Sequence, residues 1–196
     1  MPVYEMSAAG SVKVPRVNHQ SMNANNQFGA MVPIATVDVA GTSNNTFFSN
    51  IPQTFQDLMI VCSLRAARNA ALENINIGIN NQTFIYSGTR IIGNGSTATS
   101  VRGVNDQYFC YMGVVPAATS TSGIFGSAVF HILNYKSSTN KTVLSRTAAD
   151  LNGSGETHLG AGLFRYTLPI NDLFISTEFT NTTGTITLYG IRAANS

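Results

Sequence analysis

The sequence has few charged residues. Asp, Glu, Lys and Arg make up 10% of its 196 residues, whereas about 25% is usual in soluble proteins. The formal net charge is only +2, and Arg65, Arg68, Arg90 and Arg102 are scattered along the chain rather than clustered. Because nucleic-acid binding depends on concentrated positive charge, we expect no nucleic-acid partner.

Long apolar runs and targeting signals are also missing. No run of about 20 apolar residues is present for a membrane span. The N-terminus carries Glu5 and has no basic start followed by an apolar run, so it does not resemble a secretory signal. Without such a signal, we interpret the N-x-S/T sequons, such as those at Asn81 and Asn140, as products of an Asn- and Thr-rich composition.

Cysteine and histidine are too rare and too dispersed to predict a metal site. The two cysteines, Cys62 and Cys110, lie inside apolar segments, which indicates buried free thiols rather than a disulfide. His19, His131 and His158 lack the spacing of zinc ligands. We therefore expect neither a metal ion nor a cofactor.

Catalytic motifs are missing as well. The chain has no G-x-S-x-G motif and no Gly-rich phosphate loop, so we expect that it is not an enzyme. Asp150, Asn152 and Ser154 match the first ligand positions of a calcium loop, but Ala161 stands where the bidentate Glu is required. We interpret the segment 150–156 as a Gly-rich turn.

Uncharged polar residues are abundant instead. They cluster in short segments such as 134–142, NYKSSTNKT, which lies between two apolar segments and is typical of a hairpin turn. Burying an amide or a hydroxyl costs far less than burying an ion. A surface of this kind suits a protein that packs against copies of itself or against a shell.

Apolar residues alternate with a period of two from Pro33 onward. Segment 73–79 places Ile75, Ile77 and Ile79 on one face, as in a half-buried strand. Segment 57–64 is also apolar on its second face, which predicts a central strand covered on both sides.

The C-terminal segments 171–179 and 184–191 are predicted to pair through a hairpin. Segment 64–74 carries at most a weak helical stripe.

Eight to ten strands with almost no helix predict an all-β fold, an antiparallel β-sandwich of jelly-roll type. The jelly-roll domain is assigned to residues 33–196, and residues 1–32 are assigned to an extended N-terminal arm. The predicted core consists of residues on strand faces that are apolar throughout: Ile60, Cys62, Ile77, Phe130, Ile132, Leu173, Ile175 and Leu188.

The arm has no sustained hydrophobic period and holds four of the six methionines. It is either a disordered tail, as is common at termini, or a tether that docks into a partner. We favour an attachment arm, because a solvated tail would carry more charge and fewer apolar residues. The side chains predicted to dock are Tyr4, Met6, Val12, Val14, Met22 and Met31.

Five segments occur in a recognisable order along the chain: NTFFSNIPQTFQDLMIVCSLRAA, INIGINNQT, YSGTRIIGNGS, FHILNYKSSTNKTVLSR and GTITLYGIRAA. These segments resemble a family of small virion structural proteins of tailed bacteriophages. In that family, S-I-P-Q-T-aromatic-x-D-L opens the domain, N-Y-x-S-T-N-K-T forms a hairpin in its middle, and T-L-Y-G-I closes it. The resemblance covers about residues 44 to 194. It implies a place on the outer surface of the virion, on the capsid or the tail, and identifies no catalytic residue.

Within that family setting we favour a head decoration, or cement, protein that docks on the major capsid protein through its arm. The chain is short and has neither coiled-coil heptads nor a long β-shaft, as a fibre would. The alternative is a tail fibre or receptor-binding module, attached to tail proteins, that recognises a host-surface glycan. Its sugar platform would use tyrosines, because the chain has no Trp: Tyr86, Tyr108, Tyr111, Tyr135, Tyr166 and Tyr189.

Scarce charge also predicts self-association. Exposed edge strands are usually protected by charge, proline or cover. We therefore expect an obligate homo-oligomer, preferably a homotrimer, in which subunits cover the strands 73–79 and 184–191.

Overall fold

The computed structural model describes residues 30–41, 45–177 and 181–193, without the side chains of 109–111. These described residues form twelve β-strands and contain no helix. The strands are β1 (Met31–Ala40), β2 (Asn45–Phe48), β3 (Asp57–Ala66), β4 (Leu72–Ile79), β5 (Tyr86–Gly93), β6 (Ala98–Asp106), β7 (Phe109–Pro116), β8 (Gly126–Ile132), β9 (Lys141–Asp150), β10 (Gly155–Phe164), β11 (Leu173–Thr177) and β12 (Thr182–Ile191).

The strands form two antiparallel sheets, which confirms the predicted all-β sandwich. The wide sheet has eight strands in the order β1-β12-β3-β8-β9-β10-β5-β6, and the narrow sheet has four in the order β2-β11-β4-β7. If β5, β6, β9 and β10 are set aside, the remaining strands have the order of a jelly roll, β1-β12-β3-β8 facing β2-β11-β4-β7. The hairpins β5–β6 and β9–β10 extend the wide sheet on one side.

The core lies between the two sheets. All eight residues predicted for it are buried, and Phe130 and Leu188 have no exposed surface. Cys62 is a buried free thiol, as predicted. Burial raises the pKa of this thiol to about 12. The side chain of Cys110 lies outside the described residues.

Three details of the strand predictions were wrong. The described part of the chain already contains twelve strands rather than eight to ten. The second face of β3 is open, since Val61 is 37% exposed. The segments β11 and β12 do not form a hairpin, because β11 belongs to the narrow sheet and β12 to the wide one. Local alternation assigns the faces of a strand but does not identify its neighbours.

The predicted edge strands were also assigned wrongly. The strand β4 (73–79 in the sequence prediction) lies between β11 and β7, and β12 lies between β1 and β3. Both are interior strands with ladders on each side. The edges of the two sheets are β1, β6, β2 and β7, so the strands named as needing cover by other subunits already have it.

Parts of three of the five segments that carry the family resemblance meet at one end of the sandwich. We call residues 51–58, 134–142 and 187–191 the basal junction. Its backbone bonds include Gln56 N–H to Ile191 O at 2.7 Å. The Asp57 carboxylate accepts a hydrogen bond from Asn134 N–H at 2.7 Å, and the Tyr135 hydroxyl donates to the Pro52 carbonyl. Three segments distant in sequence therefore form one structural unit.

Lys141 holds the long turn of the basal junction in place. The turn connects β8 to β9, which pair as a hairpin, as predicted. The Lys141 ammonium is fully buried and donates to four carbonyl oxygens, those of Ser137, Thr139 and Leu168 at 2.8 Å and that of Tyr166 at 3.1 Å. Because an ammonium has three N–H groups, two of these carbonyls share one of them. Burial lowers the pKa of this ammonium. The contacts join the turn to the segment that follows β10.

Candidate functional site

The outer face of the wide sheet is a broad surface with few charges. Strand registers place two adjacent rows of outward-facing side chains across all eight strands. One row runs Ser100, Ile91, Leu159, Arg146, Val129, Val61, Thr187 and Thr36; the next runs Arg102, Thr89, Ala161, Leu144, His131, Met59, Tyr189 and Pro33. Arginine and histidine are the only ionisable residues in these rows apart from Tyr189.

The centre of this face contains a mainly apolar depression, which we call the hollow. A depression of about 520 Å³ lies over β3, β5, β8, β9 and β10, with Ile91, Leu144 and Leu159 in its lining. These three side chains are 54%, 44% and 57% exposed. Large apolar side chains so exposed and so close together mark a surface that is suited to a ligand or a partner.

Four polar side chains also line the hollow: Thr89, Arg90, His131 and Arg146. Arg90 has an interaction partner in the structure. The Arg146 side chain is exposed and makes no hydrogen bond or ion pair with the described residues. The Nε2 atom of His131 lies 3.2 Å from Asp57 Oδ2, so this imidazole is tied to the basal junction. The hollow therefore offers one unpaired positive charge surrounded by aliphatic side chains.

The residues packed beneath the hollow leave no space for a larger side chain at its floor. The Met112 side chain comes from the narrow sheet, and its Cε would lie 3.3 Å from a Cβ placed on Gly160, while the Ser145 Oγ would lie only 2.5 Å away. A larger residue at position 160 would have to displace them. Gly160 thus allows the two sheets to approach closely under the hollow.

A second depression, of about 380 Å³, lies at the β9–β10 turn and includes Asp150 and Glu156 in its lining. Asp150 Oδ1 accepts a hydrogen bond from Asn152 N–H at 2.9 Å, which is an Asx turn, and Gly153 has a φ of 110°. The predicted Gly-rich turn is confirmed. Within the described residues, no three His, Cys, Asp or Glu side chains are grouped as metal ligands.

His158 lies near this turn but inside the sandwich. It is buried, and its Nε2 lies 2.7 Å from Glu156 Oε2. Its Nδ1 has no partner among the described residues. Burial lowers the pKa of His158, while the bond to Glu156 opposes the change. It is a core histidine, and the surface histidine is His131.

Most of the predicted attachment arm lies outside the described residues. This holds for Tyr4, Met6, Val12, Val14 and Met22. Met31 is described, and it opens β1 opposite Ile191 with 43% of its surface exposed. The attachment role of the arm stays a prediction. No helix in the described part of the chain has the length and apolarity to cross a membrane.

The predicted tyrosine platform does not exist as one surface. Tyr86 and Tyr135 are fully buried, and Tyr108 and Tyr166 pack against the core. Tyr189 is half-buried on the outer face of the wide sheet. Only Tyr189 therefore lies near the hollow among the tyrosines with described side chains, and the side chain of Tyr111 falls outside that set.

Sequence reasoning missed the residues of the hollow. Leu144 and Leu159 occupy outward positions on β9 and β10, where alternation normally places polar side chains. These two leucines on the exposed faces of their strands were the available signal. Recognising that they share one surface required the register between the two strands.

The comparisons with known proteins show no family. No family model matches the sequence, and no curated protein matches it. Among solved structures, one similar chain is the Ruminococcus gnavus IT-sialidase CBM40 bound to alpha2,3 sialyllactose, with 12% sequence identity over 84% of this chain and 95% of that chain. Its TM-score is 0.33.

Proposed function

We propose that this chain is a bacteriophage virion structural protein, a head decoration (cement) protein that docks on the capsid through its N-terminal arm. One observation carries the proposal. Three of the five segments that resemble the phage family meet in space, because 51–58, 134–142 and 187–191 form the basal junction through backbone and side-chain hydrogen bonds. The resemblance thus concerns one folded unit.

The outer face of the wide sheet supports this proposal. Its two central rows expose aliphatic, small and neutral polar side chains, with Arg102, Arg146 and His131 as the basic residues. The free-energy cost of desolvation is low when a face of this composition is buried against a neighbouring subunit or shell. A decoration protein works in this setting, packed at high density on a particle.

Copy number is the direct test. Quantitative mass spectrometry of purified virions should find hundreds of copies per particle. A tail location gives multiples of three or six up to a few tens of copies, and this result would replace decoration by the tail function. Absence from purified virions would overturn both.

A truncated chain tests the arm. A protein that starts at Ala30 keeps β1 whole, so it should stay soluble and β-rich. It should fail to bind particles that lack the native protein, whereas the full chain binds them. Retained binding by the truncated protein would disprove attachment through the arm.

A receptor-binding module for a host-surface glycan is the second candidate. The hollow favours it, because Arg146 stands unpaired among aliphatic side chains and is available to an anionic group. Binding to a panel of acidic and neutral oligosaccharides should then be lost in Arg146→Ala and kept in Arg102→Ala, which removes a charge from the edge strand. Equal binding by both variants would argue against the hollow as the site.

A further inference from the structure

The edge strand β6 is built differently from the other three edges. β1 carries Pro33, Asp38 and a register shift, β2 has only four residues, and β7 has a register shift and ends at Pro116. These features discourage strand addition. β6 also has a register shift and an acidic residue, Asp106, but both lie beyond Val104 at its end. In contrast to the other edges, residues 98–104 pair with β5 without a shift, contain neither proline nor an acidic residue, and carry Arg102 as their one charge.

Both faces of β6 are open. Val101 and Val104 point to opposite faces, and they are 44% and 58% exposed. Five consecutive residues, 98–102, are exposed. Since the narrow sheet leaves this part of the wide sheet uncovered, the strand exposes unpaired backbone groups together with apolar side chains.

The hairpin that presents β6 is held in shape. Asn94 Oδ1 accepts hydrogen bonds from Ser96 N–H at 3.1 Å and Thr97 N–H at 2.8 Å, and Gly95 takes a φ of 89° at the tip. The paired strands β5 and β6 therefore form a ribbon with a fixed turn. An incoming strand would meet an edge that is already ordered, which lowers the entropic cost of pairing.

We propose that β6 is a self-association edge, at which a second copy of the chain adds its own β6 in antiparallel orientation about a two-fold axis. This pairing joins two wide sheets into one continuous sheet. It is isologous and closed, so it does not lead to open polymers.

The residues of β6 select one register. A two-fold axis at Val101 places this valine opposite its copy, Val104 opposite Ala98, and Arg102 opposite Ser100. All seven residues 98–104 are then paired, and each exposed valine meets an apolar side chain. A shift by two residues in one direction would set Arg102 opposite its own copy, and like charges directly opposite each other are destabilising. The shift in the other direction would set Ser100 at the axis and leave Val104 without a partner in β6.

The sequence-based preference for a trimer relied on strands that the structure places inside the sheets. The open edge at β6 instead predicts a dimer. Each copy contributes one strand with few large side chains to this interface. The buried area is therefore small, and association through so small an interface is weak. We expect a monomer–dimer equilibrium in the micromolar range rather than a permanent complex.

Sedimentation of the full chain tests the proposal. From about 5 to about 200 μM, the average mass should rise from monomer toward dimer. Val101→Lys should weaken dimerisation about tenfold or more, because two lysines would meet at the axis. Val61→Lys is the matched control: it introduces the same charge at an exposed valine of the same sheet, on an interior strand, and should leave the dimer unchanged.

Cross-linking tests the register. Full chains carrying Val101→Cys should form covalent dimers with a short bismaleimide. Full chains carrying Thr185→Cys have the thiol on the interior strand β12, and their yield of covalent dimer should not exceed the wild-type background. Three results would overturn the proposal. The wild-type protein could stay monomeric up to about 200 μM, the concentration at which weak pairs form, it could form a trimer, or Val61→Lys could weaken dimerisation as much as Val101→Lys does. Equal cross-linking of both cysteine variants would overturn the register and with it the two-fold pairing.

Discussion

Replacing Lys141 by methionine should destabilise the domain strongly. The ammonium donates to four carbonyl oxygens from two separate segments, and methionine fills similar space without donating. Each carbonyl that loses its donor costs at least about 1 kcal/mol. The desolvation cost of the ammonium disappears at the same time and offsets part of that loss. We therefore expect the free energy of unfolding to fall by about 3 kcal/mol.

The measurement is urea unfolding followed by circular dichroism, with the wild type and Lys136→Met as references. Lys136 is exposed in the same turn, so its replacement removes an equal charge from the same loop and should change the free energy of unfolding by less than about 0.5 kcal/mol. Lys141→Arg should also destabilise, because a planar guanidinium does not reproduce convergent donation to these carbonyls.

Hydrogen exchange would locate the effect. In Lys141→Met, amide protection should fall in residues 134–140 and 165–169, which the ammonium joins, and stay unchanged in β4 and β11. A loss of stability below about 1 kcal/mol, or equal losses for Lys141→Met and Lys136→Met, would refute the reasoning that the four carbonyl contacts stabilise the turn.

Three further predictions concern the core. Phe130→Ala should cost about 3–5 kcal/mol in unfolding free energy, whereas Phe125→Ala, at an exposed phenylalanine, should cost less than about 1 kcal/mol; similar costs would contradict the burial. Because burial holds the pKa of His158 below 6.5, the unfolded chain binds the proton first, so stability should decrease as pH falls below 6.5 and His158→Gln should flatten that part of the profile. Iodoacetamide at neutral pH should leave Cys62 unmodified in the folded chain and modify it in denaturant, as peptide mass spectrometry would show.

Local features of the fold were predictable because they depend on neighbours in sequence. Alternation placed Ile75, Ile77 and Ile79 on one buried face, and turn chemistry identified the 134–142 hairpin. The partner of each strand depends on pairings between distant segments, which no local pattern encodes. For that reason β11 and β12 were assigned to one hairpin although they belong to different sheets.

The candidate site was less predictable than the fold. Ile91, Leu144, Leu159 and Arg146 come from three strands, and only the ladders between β9, β10 and β5 bring them together. The apolar outward positions on single strands gave a weak signal, because isolated exposed leucines are common on protein surfaces. The tyrosines were a misleading signal, since cross-strand packing accounts for the buried ones.

The place of β12 between β1 and β3 has a consequence for biosynthesis. The ribosome releases β1 and β3 well before β12, the strand that bridges them and that follows the other eleven described strands in sequence. Until β12 has emerged, both strands lack their common neighbour, and the nascent chain exposes two unsatisfied edges to chaperones and to other nascent chains. The wide sheet therefore closes only after Thr182–Ile191 has been synthesised, and a premature stop codon before Thr182 yields a chain that cannot close it.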